Sequence, residues 1–394
     1  MAYVPALVRF LLVALAMSVL LAGLWGGLLR LGSPLPTWLA DSVAHHGAVM
    51  IGGFLGALIT LERAVAIGQR WCFVGPVFAG LGAWTLLAGG PVELGALLIS
   101  AASVVLVADF IVILRRQRTT FTIVMTLGAA AWLLGNVFWL CGWAVYDLVP
   151  WWTAFLILTI VGERLELSRF MPERPGRAAT FVIATGLYGL GVILSPPWPG
   201  LGLFVMGVGL IALALWLVVF DVARWTIRQS GVPGFAAAAL LGGYAWLAIG
   251  GALACWYALL TPATAGQHWM LSIPMGGPVY DAIWHCLLLG FVFAMIFGHA
   301  PIIFPAVLGI RMRFTRLFYV HLLLLHVTLA MRIIGNLAMW PDWRTIGGIG
   351  NVITVLLFLG VTLSSVRRAH AGPSRPVQHP PAAAANTIPL HRPQ

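Results

Sequence analysis

The chain has 394 residues, 61% of them hydrophobic and 8% charged, against about 25% charged in soluble domains. That composition excludes a soluble globular protein and leaves no stretch polar enough to fold as a separate soluble domain. The formal charge of +11 comes wholly from arginine, because the chain has no lysine; the arginines sit between apolar segments, where they orient a membrane protein rather than bind nucleic acid.

A helix needs about 20 apolar residues to cross a bilayer. On that measure the chain predicts an all-α polytopic membrane protein, with about twelve transmembrane helices in one bundle over residues 1–368. The spans fall near 7–29, 46–67, 73–90, 93–114, 121–141, 150–168, 178–195, 201–221, 235–260, 280–304, 317–339 and 346–366. The first run is long enough to span and ends at Arg30 without a small-residue cleavage site, so it reads as a span and not as a cleavable signal peptide. Arginines follow every second span: Arg63 and Arg70, Arg115 to Arg118, Arg164 to Arg177, Arg224 and Arg228, Arg311 to Arg316, Arg367 and Arg368. The alternation predicts that both termini are cytoplasmic. Residues 369–394, rich in proline and alanine, predict a disordered cytoplasmic tail, and His370, His379 and His391 lie there or at its edge. Tryptophans such as Trp38, Trp143, Trp198 and Trp340 fit interfacial belts.

Glu62, Asp109, Glu163, Glu166 and Asp221 fall near the inner ends of their spans and read as interfacial caps or arginine partners. Proton entry through Glu62 and Glu163 is the alternative, since intramembrane carboxylates often serve proton relays.

Six histidines lie within the predicted spans: His45, His46, His285, His299, His321 and His326. One membrane histidine is ordinarily satisfied by packing and a hydrogen bond, but six in two depth layers ask for a further reason. His285 and His299 are fourteen residues apart, about 21 Å of rise and nearly the same helix face. With the predicted topology, His45, His46 and His285 share the outer level with Arg332, and His299 and His321 share the inner one. His326 falls near mid-membrane and could join either. Neutral imidazole suits haem iron and copper, and equal-depth histidines on different helices are what axial haem ligation or a small copper site requires. The expected metal ligands are therefore His46, His285, His299, His321 and His326, with His45 and Arg332 also at the cofactor. Arg332 either pairs with haem propionates or snorkels from its helix end. Glycines at 47, 52, 53, 56, 290 and 298 leave room for a flat macrocycle or another helix. Pro301 and Pro305 place His299 at an expected kink. The four cysteines show no C-x-x-C-H signature, so any haem is held without a covalent link.

Trp284-His285, Gly290-Phe291, Met295-Ile296-Phe297-Gly298-His299, Leu308-Gly309, His321, His326 and Arg332, with Ala44-His45-His46-Gly47, Met50 and Gly53-Phe54-Leu55-Gly56, resemble the NnrS family. The specific motifs cover the second, tenth and eleventh spans; the middle third of the chain carries no such likeness. The resemblance implies haem b and copper, a bacterial inner membrane, and a role in nitric oxide metabolism or protection. The expected function is a haem- and copper-binding protein handling nitric oxide or electrons, with an oxidoreductase activity in view. Its expected partners are the lipid bilayer, a small gaseous or redox substrate, and a quinone or other electron-transfer partner. The alternative is a proton-coupled or metal-ion transporter that uses the histidines as relay or transit site.

Overall fold

The computed structural model describes residues 4–39, 41–169, 171, 174–260 and 276–370. Of the expected tail at 369–394, Ala369 and His370 continue the last helix, and residues 371–394 lie outside the described residues. Among those residues every regular element is helical, as a lipid solvent demands, because each backbone N–H and C=O must be paired within its own segment. Twelve helices are long and apolar enough to cross a membrane: α1 (Ala6–Arg30), α2 (Asp41–Ile67), α3 (Arg70–Leu87), α4 (Val92–Arg116), α5 (Thr120–Leu140), α6 (Val145–Ser168), α7 (Arg177–Leu194), α8 (Pro199–Phe220), α9 (Val232–Leu260), α10 (Gly277–Leu308), α11 (Leu317–Leu337) and α12 (Pro341–Val366). The protein is a multi-pass membrane protein.

These match the twelve expected spans, with α2, α6 and α12 each starting about one turn earlier than hydropathy alone suggests. The added turns carry Asp41, Asp147 and Asp342. A carboxylate in the first turn faces the positive end of the helix dipole, so it favours the helix there while it lowers the hydropathy. Extending α6 places Pro150 inside the helix. Proline has no N–H to give the carbonyl four residues back. That carbonyl belongs to Tyr146, and the Tyr280 hydroxyl of α10 donates to it instead at 2.9 Å. The lost helix bond is thus replaced by a tie between helices.

Sequence neighbours pack most extensively: α3 with α4, α5 with α6, α7 with α8, α8 with α9, and α11 with α12. Helix α6 is the most enclosed, 78% buried in its most apolar window against 33% for α7 and α11. Polar side chains on α6 therefore lie in the middle of the bundle. Helix α10 packs chiefly on α9 and also meets α1, α6, α11 and α12. It runs unbroken as helix through Pro301 and Pro305 to Leu308. Helices α11 and α12 approach closely where Gly347 meets the backbone of Arg332, which a Cβ would strike.

Two of the helices change their winding. Val49–Leu55 in α2 and Cys286–Phe293 in α10 are π-helical, a rare form that recurs at functional sites. Each segment follows a histidine of the expected outer cluster: His46 by two residues, His285 directly. Phe54 and Phe293, one in each segment, have ring centroids 6.1 Å apart.

Candidate functional site

The two ends of α10 carry different polar clusters. At its start, His285 directs Nδ1 to the Asp281 carbonyl oxygen at 2.8 Å and lies 3.2 Å from the Asp281 carboxylate. A carbonyl only accepts, so Nδ1 carries the proton and Nε2 keeps its lone pair. The Asp281 carboxylate is a hub. It accepts from Arg332 Nε at 3.1 Å and Nη2 at 2.9 Å, and from Asn336 Nδ2 at 2.8 Å. Arg332 thus points into the bundle and is held on two of its nitrogens, with Nη1 left over.

His46 is built the same way from α2. Its Nδ1 is 3.0 Å from the Gly23 carbonyl oxygen of α1, and its Cε1 sits 3.1 Å from where a Gly27 Cβ would be. Gly27 leaves the space that admits the ring, while the missing Cβ of Gly23 makes room for Met50. His46 lies within electrostatic reach of His285, Arg30 and Arg332. Arg30 Nη2 donates to the Tyr146 hydroxyl at 3.0 Å, so α1, α2, α6, α10 and α11 all contribute here. Neither His46 nor His285 has an Nε2 partner among the described residues. His45, one residue off this face, is half-buried, and its Nδ1 has no partner among the described residues.

The other end of α10 carries a buried ion pair. Arg164 of α6 donates Nε and Nη2 to Asp221 at 2.7 and 3.0 Å, and both side chains are nearly inaccessible. Asp221 sits just past the end of α8 and also accepts from the Ala223 amide at 2.7 Å. The remaining Arg164 Nη1 donates to His299 Nε2 at 3.2 Å, while His299 Nδ1 donates to the Met295 carbonyl at 2.7 Å. Both ring nitrogens of His299 are therefore satisfied by protein. Beside it, one nitrogen of Arg63 joins Glu62 at 2.9 Å and also Glu163.

The expected inner pair is not brought together. His321 lies against Phe297, with ring centroids 4.8 Å apart. Phe297 is two residues before His299, so it points to the other side of α10. Phe235, Phe318 and Phe358 complete an aromatic box around His321. His321 is fully buried, and neither ring nitrogen has a hydrogen-bond partner among the described residues. His326 accepts from Trp246 Nε1 at 2.9 Å on its Nδ1, which places its proton on Nε2 beside Gly242 and leaves no lone pair for a metal. Five of the six glycines expected to leave room are closed by neighbours, Gly52 by Ile99, Gly53 by Ala83, Gly56 by Trp132, Gly290 by Trp246 and Gly298 by α9, while a Cβ at Gly47 would meet only Val145 at 4.0 Å. Those five serve helix packing.

Sequence reasoning missed Asp281, the residue that organises the site. Its signal was present, since Asp281 and His285 are an i, i+4 pair on one helix face. Gly23 was missed because nothing local says which helix a histidine will meet.

The model of a family described as a domain of unknown function, DUF8744, matches residues 9–367, and the chain belongs to that family. No curated protein matches the chain.

Proposed function

We propose that this DUF8744 protein is a haem-binding, NnrS-like protein of the bacterial inner membrane that handles nitric oxide or electrons. The observation that carries the reading is the His46–His285 pair: two neutral imidazoles from facing helices, each locked through Nδ1 and each presenting a free Nε2. Metal-ligating histidines characteristically give their second nitrogen to a carbonyl or carboxylate, which fixes ring and tautomer. Among the described residues no three His, Cys, Asp or Glu side chains gather into a metal-ion site. A bare copper ion wants three or more such donors, so the donor set does not fit copper. Haem brings four nitrogens of its own and asks the protein for one or two axial ligands, which is the set present.

When bound, haem would supply an iron centre for nitric oxide or for single electrons. The chain's own residues hold and position: His46 and His285 offer lone pairs, Asp281 keeps the His285 ring in place, and Arg30 and Arg332 offer positive charge for propionates. The absorption spectrum of the purified protein tests the reading, with a Soret band expected in wild type and lost in His285→Ala and His46→Ala. A colourless, folded preparation from haem-replete cells overturns it and puts a proton-coupled or metal-ion transporter in its place.

A further inference from the structure

A cavity of about 120 Å3 lies between α1, α2, α6 and α10, towards the His299 end of α10. Its walls are apolar, with Leu156, Ile160 and Phe304 among them, and polar side chains enter only through Glu62, Thr159, Glu163 and His299. Cavities of this make-up, apolar with a few convergent polar groups, are the usual form of small-molecule sites.

The hydrogen-bonding capacity left facing it is one-sided. Thr159 has spent its hydroxyl proton on the Phe155 carbonyl at 2.8 Å, and both nitrogens of His299 are engaged. Glu62 and Glu163 each accept from Arg63 through one oxygen, Oε1. Their side chains stay 31% and 28% exposed while Arg63 is 13% exposed, so the carboxylates rather than the guanidinium are reachable. With both carboxylates ionised against Arg63, what remains is lone pairs. Charge does not mark the cavity as a cation site: Arg63 bridges the two carboxylates, and a second guanidinium, Arg9, donates Nη1 to the carbonyl of the wall residue Val307 at 2.7 Å.

An occupant must therefore be apolar, neutral and a hydrogen-bond donor, small enough for a single ring, and soluble in the membrane. We infer that the cavity binds the head group of a membrane quinol, whose hydroxyls donate to Glu62 and Glu163. The oxidised quinone has no donor and would set its carbonyls against the carboxylate lone pairs, leaving them unpaired. As an electron source for the His46–His285 site the quinol rests on the function proposed above; its binding does not.

The experiment is equilibrium binding to full-length protein in phosphatidylcholine nanodiscs, with decylubiquinol, decylubiquinone and tetraphenylphosphonium as probes. Decylubiquinol is expected to bind about tenfold or more tightly than decylubiquinone, a difference of about 1.4 kcal/mol or more. Glu163→Gln turns an amide donor toward the cavity and should bring the two affinities together, and Ile160→Trp should fill the space and abolish both. Should Glu163→Gln fail to purify as a monodisperse protein, Glu62→Gln carries the same expectation, and the wild-type ratio of quinol to quinone decides alone. Absence of quinol binding, a quinone bound as well as the quinol, or a phosphonium cation bound more tightly than either overturns the inference. The Soret band is read on the same samples. A colourless protein that binds quinol keeps this site and loses the haem reading, and a coloured one that ignores quinol does the reverse.

Discussion

His285 and His299 sit on one helix, fourteen residues apart with a π-helical segment between them, and their surroundings differ in one respect that decides their chemistry. At the Asp281 end, Arg332 gives two nitrogens to the aspartate and its remaining Nη1 makes no bond to His285, which is fixed through Nδ1 alone. At the Asp221 end, the arginine has a nitrogen to spare and uses it on the histidine, so no lone pair is left. A metal ligand needs an unspent lone pair; a structural histidine spends both nitrogens. The geometry of Arg164 and Arg332, more than the histidines themselves, separates the two.

Removing one partner of the more buried ion pair should have the largest effect. Asp221→Ala leaves Arg164 charged in the centre of the bundle and is expected to cost about 3–5 kcal/mol. Chemical unfolding in detergent checks this, and the double variant Arg164→Met with Asp221→Leu should recover much of the loss. If Asp221→Ala unfolds like wild type, the pair is not the structural anchor that the comparison makes it. At the other end, Asp281→Asn should cost less, about 1.5–3 kcal/mol for hydrogen bonds to a charged group, and should also shift the Soret band. A change in stability without any spectral change would detach Asp281 from the cofactor.

The two histidines themselves give the sharpest contrast. His299→Ala should lower stability by about 1–3 kcal/mol, because Arg164 loses an acceptor in a buried place, and should leave the spectrum intact. His285→Ala should do the opposite, with the Soret band lost and stability moved little. Spectra and unfolding curves of both variants, compared at equal membrane insertion, break the comparison if they behave alike. The smallest effect reverses sign: His321→Leu removes two unpartnered nitrogens from an aromatic box and should stabilise the protein by about 1 kcal/mol. A clear destabilisation would show that His321 has a partner or a task beyond packing.

The sequence revealed some of these features for identifiable reasons. The grouping of His46, His285 and Arg332 at one level of the bundle was visible because depth in a span follows from residue count once the rise per residue is known. The inner pairing of His299 with His321 failed although both sit at one depth, because depth leaves the azimuth open, and the His321 ring lies across Phe297 on the far side of α10. The glycines misled in a similar way. A missing Cβ marks where something comes close, and at Gly56 and Gly290 the visitor is a tryptophan of the protein.

What the amino-acid sequence alone determined is the number, length and order of the helices. Lipid offers no partner for backbone groups, so apolar runs of sufficient length have one available structure, and the first-turn aspartates altered only where three of them begin. What tertiary structure decided is which polar groups meet. Gly23 with His46 joins consecutive helices, and Tyr280 with Tyr146, Arg164 with Asp221 and His299, and Arg63 with Glu163 join segments distant in sequence. Their meeting depends on the rotation of each helix about its axis. That rotation is set by packing all the helices together, because lipid tails and leucine side chains are alike in polarity and hydrophobicity alone cannot choose among faces.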